Sequence, residues 1–319
     1  MPEQIARGYK TQCLLDFEES FGTAPTTPAG VILPINSFNL NVNRNKNAAE
    51  TLTGRRDPVE PFDGNVEVSG DITVPVDLHA FPFWLKLLLG APTTSGSAAP
   101  YTHVFKVGDT NPSGIVQCTY GTNPLTYGKF MGVKVSSLSL TAGGDEELTA
   151  TLSLAGRSAE YSSTDYDSSA TSIVLKRLNN FQGGLKKDGT TLGKVTQFDL
   201  TIDNGLDTDI RTIGGEGMVY DIPEGIMQVS GTLTSLFTDT TLLNAAKNST
   251  EMSFELSFAI DADNSLAIKF PQVQLQYQGP TVDGPKGITC EFPFQAYFSD
   301  SSDNSCVVVT VKNDVASYA

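Results

Sequence analysis

Residues 66–90 read VEVSGDITVPVDLHAFPFWLKLLLG, and they change periodicity halfway. Val66, Val68 and Ile72 alternate with polar residues, which is the period of a strand with one buried face. From Phe81 onward the apolar residues recur at helical spacing, and Gly90 is placed to end that helix. The stretch therefore predicts a strand that leads into a short helix.

Residues 227–250 read MQVSGTLTSLFTDTTLLNAAKNST and repeat this plan. Val68-Ser69-Gly70 matches Val229-Ser230-Gly231, an offset of 161 residues. The alternating stretch at 38–42 matches 198–202 with an offset of 160, and the stretch at 148–154 matches 288–294 with an offset of 140. A long offset kept through several matches in one order indicates duplication of a whole unit. The first copy then carries about 20 additional residues between its helix and its last strand, as surface loops tolerate.

The pattern predicts an all-β protein with one short helix in each of two tandem, duplicated antiparallel β-sandwich domains. At 319 residues the chain exceeds the usual size of one core. We predict an N-terminal arm at 1–30 with one short element near residues 11–18, a first domain at 31–158, a linker at 159–171, a second domain at 172–300, and a C-terminal strand or arm at 301–319. Individual strands are expected at 172–178 and 306–311, among others.

Composition excludes several classes of protein. The formal net charge is −15, divided into −6 for residues 1–165 and −9 for residues 166–319. A nucleic-acid clamp needs the opposite sign, although an acidic surface suits DNA that must pass without adhering. No apolar run is long enough for a membrane span, and the N-terminus lacks the apolar core of a signal peptide. We therefore expect no membrane partner and no secretion.

Catalytic or metal chemistry is not expected from this sequence. The two histidines, His79 and His103, have no associated nucleophile motif, and residues 189–195 (GTTLGKV) are too short for a phosphate-binding loop. Residues 261–264 begin like a calcium loop but lack its glycine and its closing glutamate. Four cysteines without CxxC spacing are expected to pack as small apolar residues. We predict no enzyme activity, no cofactor and no metal.

Two polar segments in corresponding places carry opposite charge. The segment at 43–63 has no buried face of its own, and a loop of this length in a compact domain is usually functional or disordered. Its counterpart at 203–221 is acidic. The candidate contact residues are Arg44, Lys46, Arg55 and Arg56 in the first segment, and Asp207, Asp209, Arg211 and Glu216 in the second.

The order of these elements resembles the tail tube proteins, or major tail proteins, of tailed bacteriophages. The resemblance rests on LDFEESFGTAP from Leu15, on TGRRDPVEPFDGNVEVSGDITVPVDLHAFPFWLKLLLGAP from Thr53, and on IVQCTYGTNPLTYGKFMGVKVSSLSLTAGGDEELTATLSLAGRSA from Ile115. It covers residues 12–158, with residues 172–300 as a degraded second copy.

That resemblance implies a structural subunit whose sheets join in a ring, so that the inner strands form a continuous barrel. Two tandem tube domains are typical of siphophage members, which form trimeric rings with pseudo-sixfold symmetry in long noncontractile tails. The implied partners are further copies of the chain, the tape measure protein, the tail terminator and tail tip proteins, and DNA that crosses the lumen unbound. The protein is then a virion component, assembled in the host cytoplasm. We predict that the two charged segments lie at ring-to-ring or subunit contacts.

An alternative of a different class is a β-sandwich module that binds carbohydrate or a host surface. Such a module needs exposed aromatic side chains or a metal-bridged site, and it would be a monomer in solution.

Overall fold

The computed structural model describes residues 5–282 and 284–318. Its helices are α1 (Phe81–Leu89) and α2 (Thr241–Lys247), with two single 3-10 turns at Gly8–Lys10 and Asn180–Gln182. The strands of the first half are β1 (Gln12–Phe17), β2 (Val31–Leu33), β3 (Ser37–Phe38), β4 (Asn41–Asn47), β5 (Phe62–Pro75), β6 (Thr93–Ser95), β7 (Tyr101–Lys106), β8 (Gly114–Tyr120), β9 (Thr126–Ala142), β10 (Thr149–Gly156) and β11 (Ser158–Ser162). Those that follow are β12 (Thr171–Ser172), β13 (Gly183–Lys187), β14 (Thr190–Thr191), β15 (Val195–Asp203), β16 (Gln228–Leu236), β17 (Met252–Ala259), β18 (Ser265–Leu275), β19 (Thr289–Ala296) and β20 (Val308–Asn313). The all-β prediction is confirmed.

Eight strands form one continuous antiparallel sheet, which we call the inner sheet. Their order is β4-β5-β10-β9-β15-β16-β19-β18. The central junction pairs β9 with β15, from Ala142 opposite Phe198 to Ser137 opposite Asp203. The first four strands come from the first half of the chain and the last four from the second half, so a single ladder joins the two halves.

A second layer packs over the inner sheet. In the first half it runs β12-β2-β1-β8-β9-β11, and in the second half it runs β14-β13-β17-β18-β20-β7-β6. The long strands β9 and β18 belong to both layers. The C-terminal strand β20 lies between β18 of the second half and β7 of the first half, so it also links the halves.

The space between the layers is filled by one apolar cluster that draws on both halves. Period-2 alternation places one face of each inner strand in this cluster, as at Ile72 and Leu152 of the first half and Leu233 and Phe292 of the second. The rings of Phe198 and Phe294 stack at 5.1 Å near its centre. Neither described helix has the length and apolarity that crossing a membrane requires.

Helix α1 is buried on every side. The Asp77 carboxylate begins it by accepting hydrogen bonds from the backbone N–H groups of Ala80 and Phe81, at 3.0 and 2.8 Å. Gly90, at φ +104°, ends it, and its N–H donates to the carbonyl of Lys86 at 2.9 Å. Tyr318, near the C-terminus, covers the helix and meets the ring of Phe83 edge-on at 5.0 Å.

Three expectations need correction. The segment at 43–63 is not a loop throughout, because β4 and β5 continue into it as a hairpin, with Lys46 opposite Asp63. The expected strand at 172–178 is reduced to the end of β12 and to an isolated antiparallel bridge between Arg177 and Asp77. The short element expected near residues 11–18 is present as β1, but it lies between β2 and β8, so this part of residues 1–30 belongs to the sheet instead of an arm.

Candidate assembly surfaces

The hairpin of β4 and β5 carries the basic candidate residues, some in its strands and some in its turn. Lys46 lies in the strand and forms an ion pair with Asp63, and this hydrogen bond lowers the pKa of the Asp63 carboxyl. Arg55 and Arg56 lie in the exposed turn that closes the hairpin. Within the described part of the chain these two side chains make no hydrogen bond or ion pair, so they are free to meet another surface.

The acidic segment at 203–221 packs against the base of this hairpin. The backbone N–H of Val66 donates to the carbonyl of Gly217 at 2.9 Å. The Arg44 guanidinium donates to the carbonyl of Glu216 at 3.3 Å, and that of Arg211 donates to the carbonyl of Val66 at 3.5 Å. The two charged segments therefore lie together at one end of the molecule, which sequence reasoning did not foresee. They meet through backbone carbonyls and not through carboxylates.

The remaining acidic candidates act locally or stay exposed. The Asp207 carboxylate accepts the N–H of Asp209 at 3.0 Å, which closes a short turn. Asp209 lies 3.4 Å from the guanidinium of Arg211, and its side chain is otherwise in solvent. The Glu216 side chain is exposed, on a residue with φ +54°. The structure thus brings Arg44, Arg211 and Glu216 together and leaves Arg55 and Arg56 apart.

Apolar side chains project from the same end of the molecule. Leu52 is 99% exposed and Ile213 is fully exposed, one in each charged segment. Phe62 and Tyr220 are also more than half exposed. Sequence reasoning missed these residues, although the signal was an isolated large apolar residue in a polar loop. Exposed apolar groups on both charged segments indicate a contact surface.

Both ends of the inner sheet carry an open edge. Strand β4 pairs with β5 on one side only, and the N–H of Val42 turns to the side chain of its own neighbour Asn41. At the other end the chain continues beyond β18 alongside β19, where the N–H of Gln276 donates to the carbonyl of Pro293 at 2.7 Å. Tyr277 and Val282 follow and are exposed. Among the described residues no strand pairs with the outer side of either edge, so both can accept a further strand.

The face of the inner sheet that points away from the core is polar and acidic. One cross-strand row consists of Thr73, Thr151, Ser139, Thr201, Ser230, Gln295 and Gln274. Beside this row Ser153 donates to Asp71 at 2.6 Å, and Thr141 donates to Asp199 at 2.7 Å. None of these side chains is a lysine or an arginine. A depression of about 600 Å³ lies on this face between Asp199 and Gln295.

The groups with potential chemistry have structural partners. His103 is buried and approaches the carbonyl of Val315 at 2.9 Å, while His79 contacts Asp314 at 2.7 Å, so both hold the C-terminal segment. Cys13 and Cys118 face each other as free thiols, and burial raises the pKa of Cys118 to about 11. Residues 5–282 and 284–318 contain no group of three or more His, Cys, Asp and Glu side chains placed to hold a metal ion.

A family model described as phage tail tube protein matches residues 8–296. A search of curated proteins finds no match.

Proposed function

The chain belongs to the phage tail tube protein family and is a structural component of the virion, and we propose that three copies close into a ring and that rings stack into the tube. In this proposal the chain consists of two copies of one tube domain. Three chains then present six similar units, the pseudo-sixfold symmetry of a two-domain siphophage tube protein in a long noncontractile tail.

The order of strand pairing supports the duplication. In the first half the pairs are β4–β5, β5–β10, β10–β9, β9–β8, β8–β1 and β1–β2. In the second half they are β15–β16, β16–β19, β19–β18, β18–β17, β17–β13 and β13–β14. Each pair in the first series has a counterpart at the same place in the second. We therefore keep the proposed domains at 31–158 and 172–300 and extend the first to include β1, since the second already contains the equivalent strand β13.

Residue register supports the same equivalence. Gly70 lies opposite Leu154, and Gly231 lies opposite Phe294. A Cβ at Gly70 would lie 2.2 Å from the carbonyl oxygen of Asn39, and one at Gly231 would lie 2.0 Å from that of Asp199. The offsets are those that the sequence suggested, 161 for the glycines and 160 for the facing carbonyls. Close backbone approach thus demands glycine at equivalent places.

The junction of β9 and β15 is the observation that carries ring closure. It joins the last inner strand of the first unit to the first inner strand of the second. The same geometry between chains brings the open edge at residues 277–282 of one copy against the open edge at residues 38–43 of the next. Eight inner strands from each of three copies then form a barrel of 24 strands, in which no edge remains open.

The polar face of the inner sheet is the face we assign to the lumen. Its hydroxyl groups and the carboxylates of Asp71, Asp199 and Asp203 provide no site for phosphate. Repulsion between the carboxylates and the phosphate backbone lets DNA pass without adhering. The tape measure protein fills the same channel before ejection, and the tail terminator and tail tip proteins close its two ends. Assembly takes place in the host cytoplasm.

Proline at the open edge tests ring closure. Val42→Pro removes an N–H that faces away from β5, so the monomer keeps its fold, whereas a strand from the next copy loses its partner. We expect electron microscopy to show hollow tubes with threefold symmetry for the parent chain and for Val42→Thr, and dispersed protein for Val42→Pro. Tubes formed by Val42→Pro would contradict this edge. Rings of six copies formed by the parent chain would contradict the trimer.

The charged end of the molecule is assigned to contacts between rings or neighbouring subunits. Its exposed apolar residues Leu52 and Ile213 and its free side chains Arg55 and Arg56 are the proposed contacts. The double charge reversal Arg55→Glu and Arg56→Glu is expected to leave the circular dichroism spectrum unchanged and to shorten or abolish tubes. Tubes of unaltered length and yield would show that Arg55 and Arg56 do not form this contact. Reversal of Lys247, an exposed residue at the end of α2 that makes no ion pair among the described residues, is the control.

A further inference from the structure

Residues 173–179, which directly follow the proposed linker at 159–171 and β12 and are counted with that linker from here on, cover one corner of the first half. The backbone N–H of Leu78 donates to the carbonyl of Lys176 at 3.0 Å, and the N–H of Leu178 donates to the carbonyl of Val76 at 3.3 Å. Arg177 lies opposite Asp77 in a β-bridge. Leu178 is 2% exposed and joins the apolar core. Residues 176–178 thus act as a short additional strand that seals the corner between β5 and α1.

The equivalent corner of the second half has no cover. Phe237 corresponds to Val76, because its N–H donates to the carbonyl of Ile288 as that of Val76 donates to Leu148, both at 2.9 Å. Across the described part of the chain, however, the carbonyl of Phe237 accepts no backbone hydrogen bond, and the N–H of Asp239 donates none. The two groups that bind the linker in the first half are therefore free in the second.

An apolar cleft opens beside these free groups. Its volume is about 430 Å³, and it lies between the end of β16, the first turn of α2 and the connection from β14 to β15. The apolar side chains that line it are Leu192, Val195, Leu236, Phe237, Leu242 and Phe292. An unpaired strand edge beside an apolar cleft suits an extended segment that donates both backbone hydrogen bonds and apolar side chains.

The residues before β1 repeat the residues before β13. The 3-10 turn at Gly8–Lys10 is followed by β1, as the one at Asn180–Gln182 is followed by β13, with a common offset of 172 residues. Each turn has an exposed aromatic residue at its centre, Tyr9 at 76% and Phe181 at 84%. Cys13 and Leu185, which face the equivalent strands β8 and β17, keep the same offset.

This offset gives the linker a counterpart at the N-terminus. Ile5 corresponds to Arg177 and Ala6 to Leu178, the two residues that lie on the covered corner of the first half. Ile5 is 90% exposed in the single chain. The linker lies before the second unit in sequence and covers the first unit. By analogy, the N-terminal segment lies before the first unit and covers a second unit. In a head-to-tail ring, that second unit belongs to the neighbouring copy.

We propose that residues 5–7 of one copy bind the cleft at the second half of the neighbouring copy, where they pair with residues 237–239 and cover the first turn of α2. This inference rests on the proposed head-to-tail ring. Ile5 then lies opposite Thr238 as Arg177 lies opposite Asp77, and Ala6 takes the place of the buried Leu178.

A disulfide between copies tests the register. Residues directly opposite in an antiparallel pair have Cα atoms about 4.5–5.5 Å apart, within the range that a disulfide spans. The double variant Ile5→Cys and Thr238→Cys, assembled into tubes and then oxidised, is expected to give covalent dimers and trimers on a nonreducing gel. The control pair Ile5→Cys and Asn248→Cys, with the second cysteine at the far end of α2, is expected to give at least tenfold less.

The outcomes separate this inference from the proposed function. Tubes of the double variant without the covalent species, or with equal amounts from the control pair, would overturn the N-terminal contact and leave the ring intact. Failure of the parent chain to form rings or tubes would overturn both.

A second variant covers the case in which the cysteines disturb assembly. Ala6 corresponds to the buried Leu178, so Ala6→Asp places a charge against the cleft and is expected to reduce tube yield about tenfold at an unchanged urea midpoint of the monomer, whereas Ala6→Val keeps the yield. Equal yields for Ala6→Asp and Ala6→Val would also overturn the contact.

Discussion

Helices α1 and α2 occupy corresponding places in the two halves, yet their surroundings differ. In α1 even Lys86 is buried, with its ammonium group 3.9 Å from the centre of the Phe17 ring. In α2 only Ala246 is buried. The sequences explain this difference, because FPFWLKLLL is apolar on all sides, whereas TLLNAAK has a polar face.

The cover of α1 comes from elsewhere in the chain. Residues 176–178 of the linker, strand β20 and Tyr318 all follow the first half in sequence and pack on it. The second half receives no such cover within the described residues. The helix of the first half is therefore covered within the chain, whereas that of the second half is open to a contact from another copy. Such a difference between the two halves favours head-to-tail contacts. Head-to-tail contacts of that kind close into rings when the rotation allows it.

The largest expected effect comes from replacing two glycines that occupy equivalent positions in the proposed duplication. Gly70→Ala and Gly231→Ala each place a Cβ within 2.2 Å of a carbonyl oxygen, so we expect each to lower the free energy of unfolding by about 3 kcal/mol. Gly70 also has φ +150°, which an alanine adopts only with strain. Urea denaturation measures both, with Gly184→Ala as the control because its Cβ would meet only Ser257 at 4.0 Å. Tolerance at one glycine alone would show that the halves are not equivalent there.

The second prediction compares the loss of stability when a leucine is shortened in each helix, because the two helices differ in burial. Leu85 in α1 is 1% exposed, and Leu85→Ala is expected to lower the free energy of unfolding by about 3 kcal/mol through the cavity it leaves. Leu242 in α2 borders the open cleft and is only partly buried, so Leu242→Ala is expected to cost about 1 kcal/mol. Urea midpoints of the monomers compare the two. Equal losses would mean that α2 is covered in solution.

Sequence reasoning succeeded where structure depends on local periodicity. The strand and helix of residues 66–90 follow from alternation that becomes helical spacing, and the structure places β5 and α1 there. It failed where pairing is nonlocal or polar on both faces. The hairpin extension at residues 43–47 and 62–65 has almost no buried side chains. It is a strand pair only through its backbone pairing. An alternation rule does not detect such a strand.

For the candidate surface too, sequence reasoning found what side chains show and missed what the backbone does. The opposite charges of the segments at 43–63 and 203–221 were visible in the sequence, but their contact was not, because it uses the carbonyls of Glu216 and Val66. Backbone carbonyls are present at every residue, so no residue type marks them. The two aromatic 3-10 turns at Tyr9 and Phe181 were also missed, because their offset of 172 differs from the 161 of the main match.

The third prediction compares the residues that begin the two helices. Asp77 is 1% exposed, and its carboxylate accepts from the N–H groups of His79, Ala80 and Phe81 and from that of Lys176 in the linker. Asp77→Ala leaves several buried donors unpaired and is expected to cost about 2 kcal/mol. Asp239, in the second half, is exposed and accepts the N–H of Thr241 at 2.9 Å. Asp239→Ala is therefore expected to lower the thermal midpoint less than Asp77→Ala, and the reverse order would contradict the assignment of Asp77 as the anchor of both helix and linker.

The smallest effect is the pH dependence of this second cap. Hydrogen bonds from Thr241 lower the pKa of Asp239 from 3.8 to about 2. A carboxyl whose pKa is lower in the folded state stabilises the fold above the unfolded pKa, and this stabilisation is lost as the pH falls from about 4 to about 2. The difference in thermal midpoint between the parent chain and Asp239→Ala should therefore be constant above pH 5 and shrink toward pH 2.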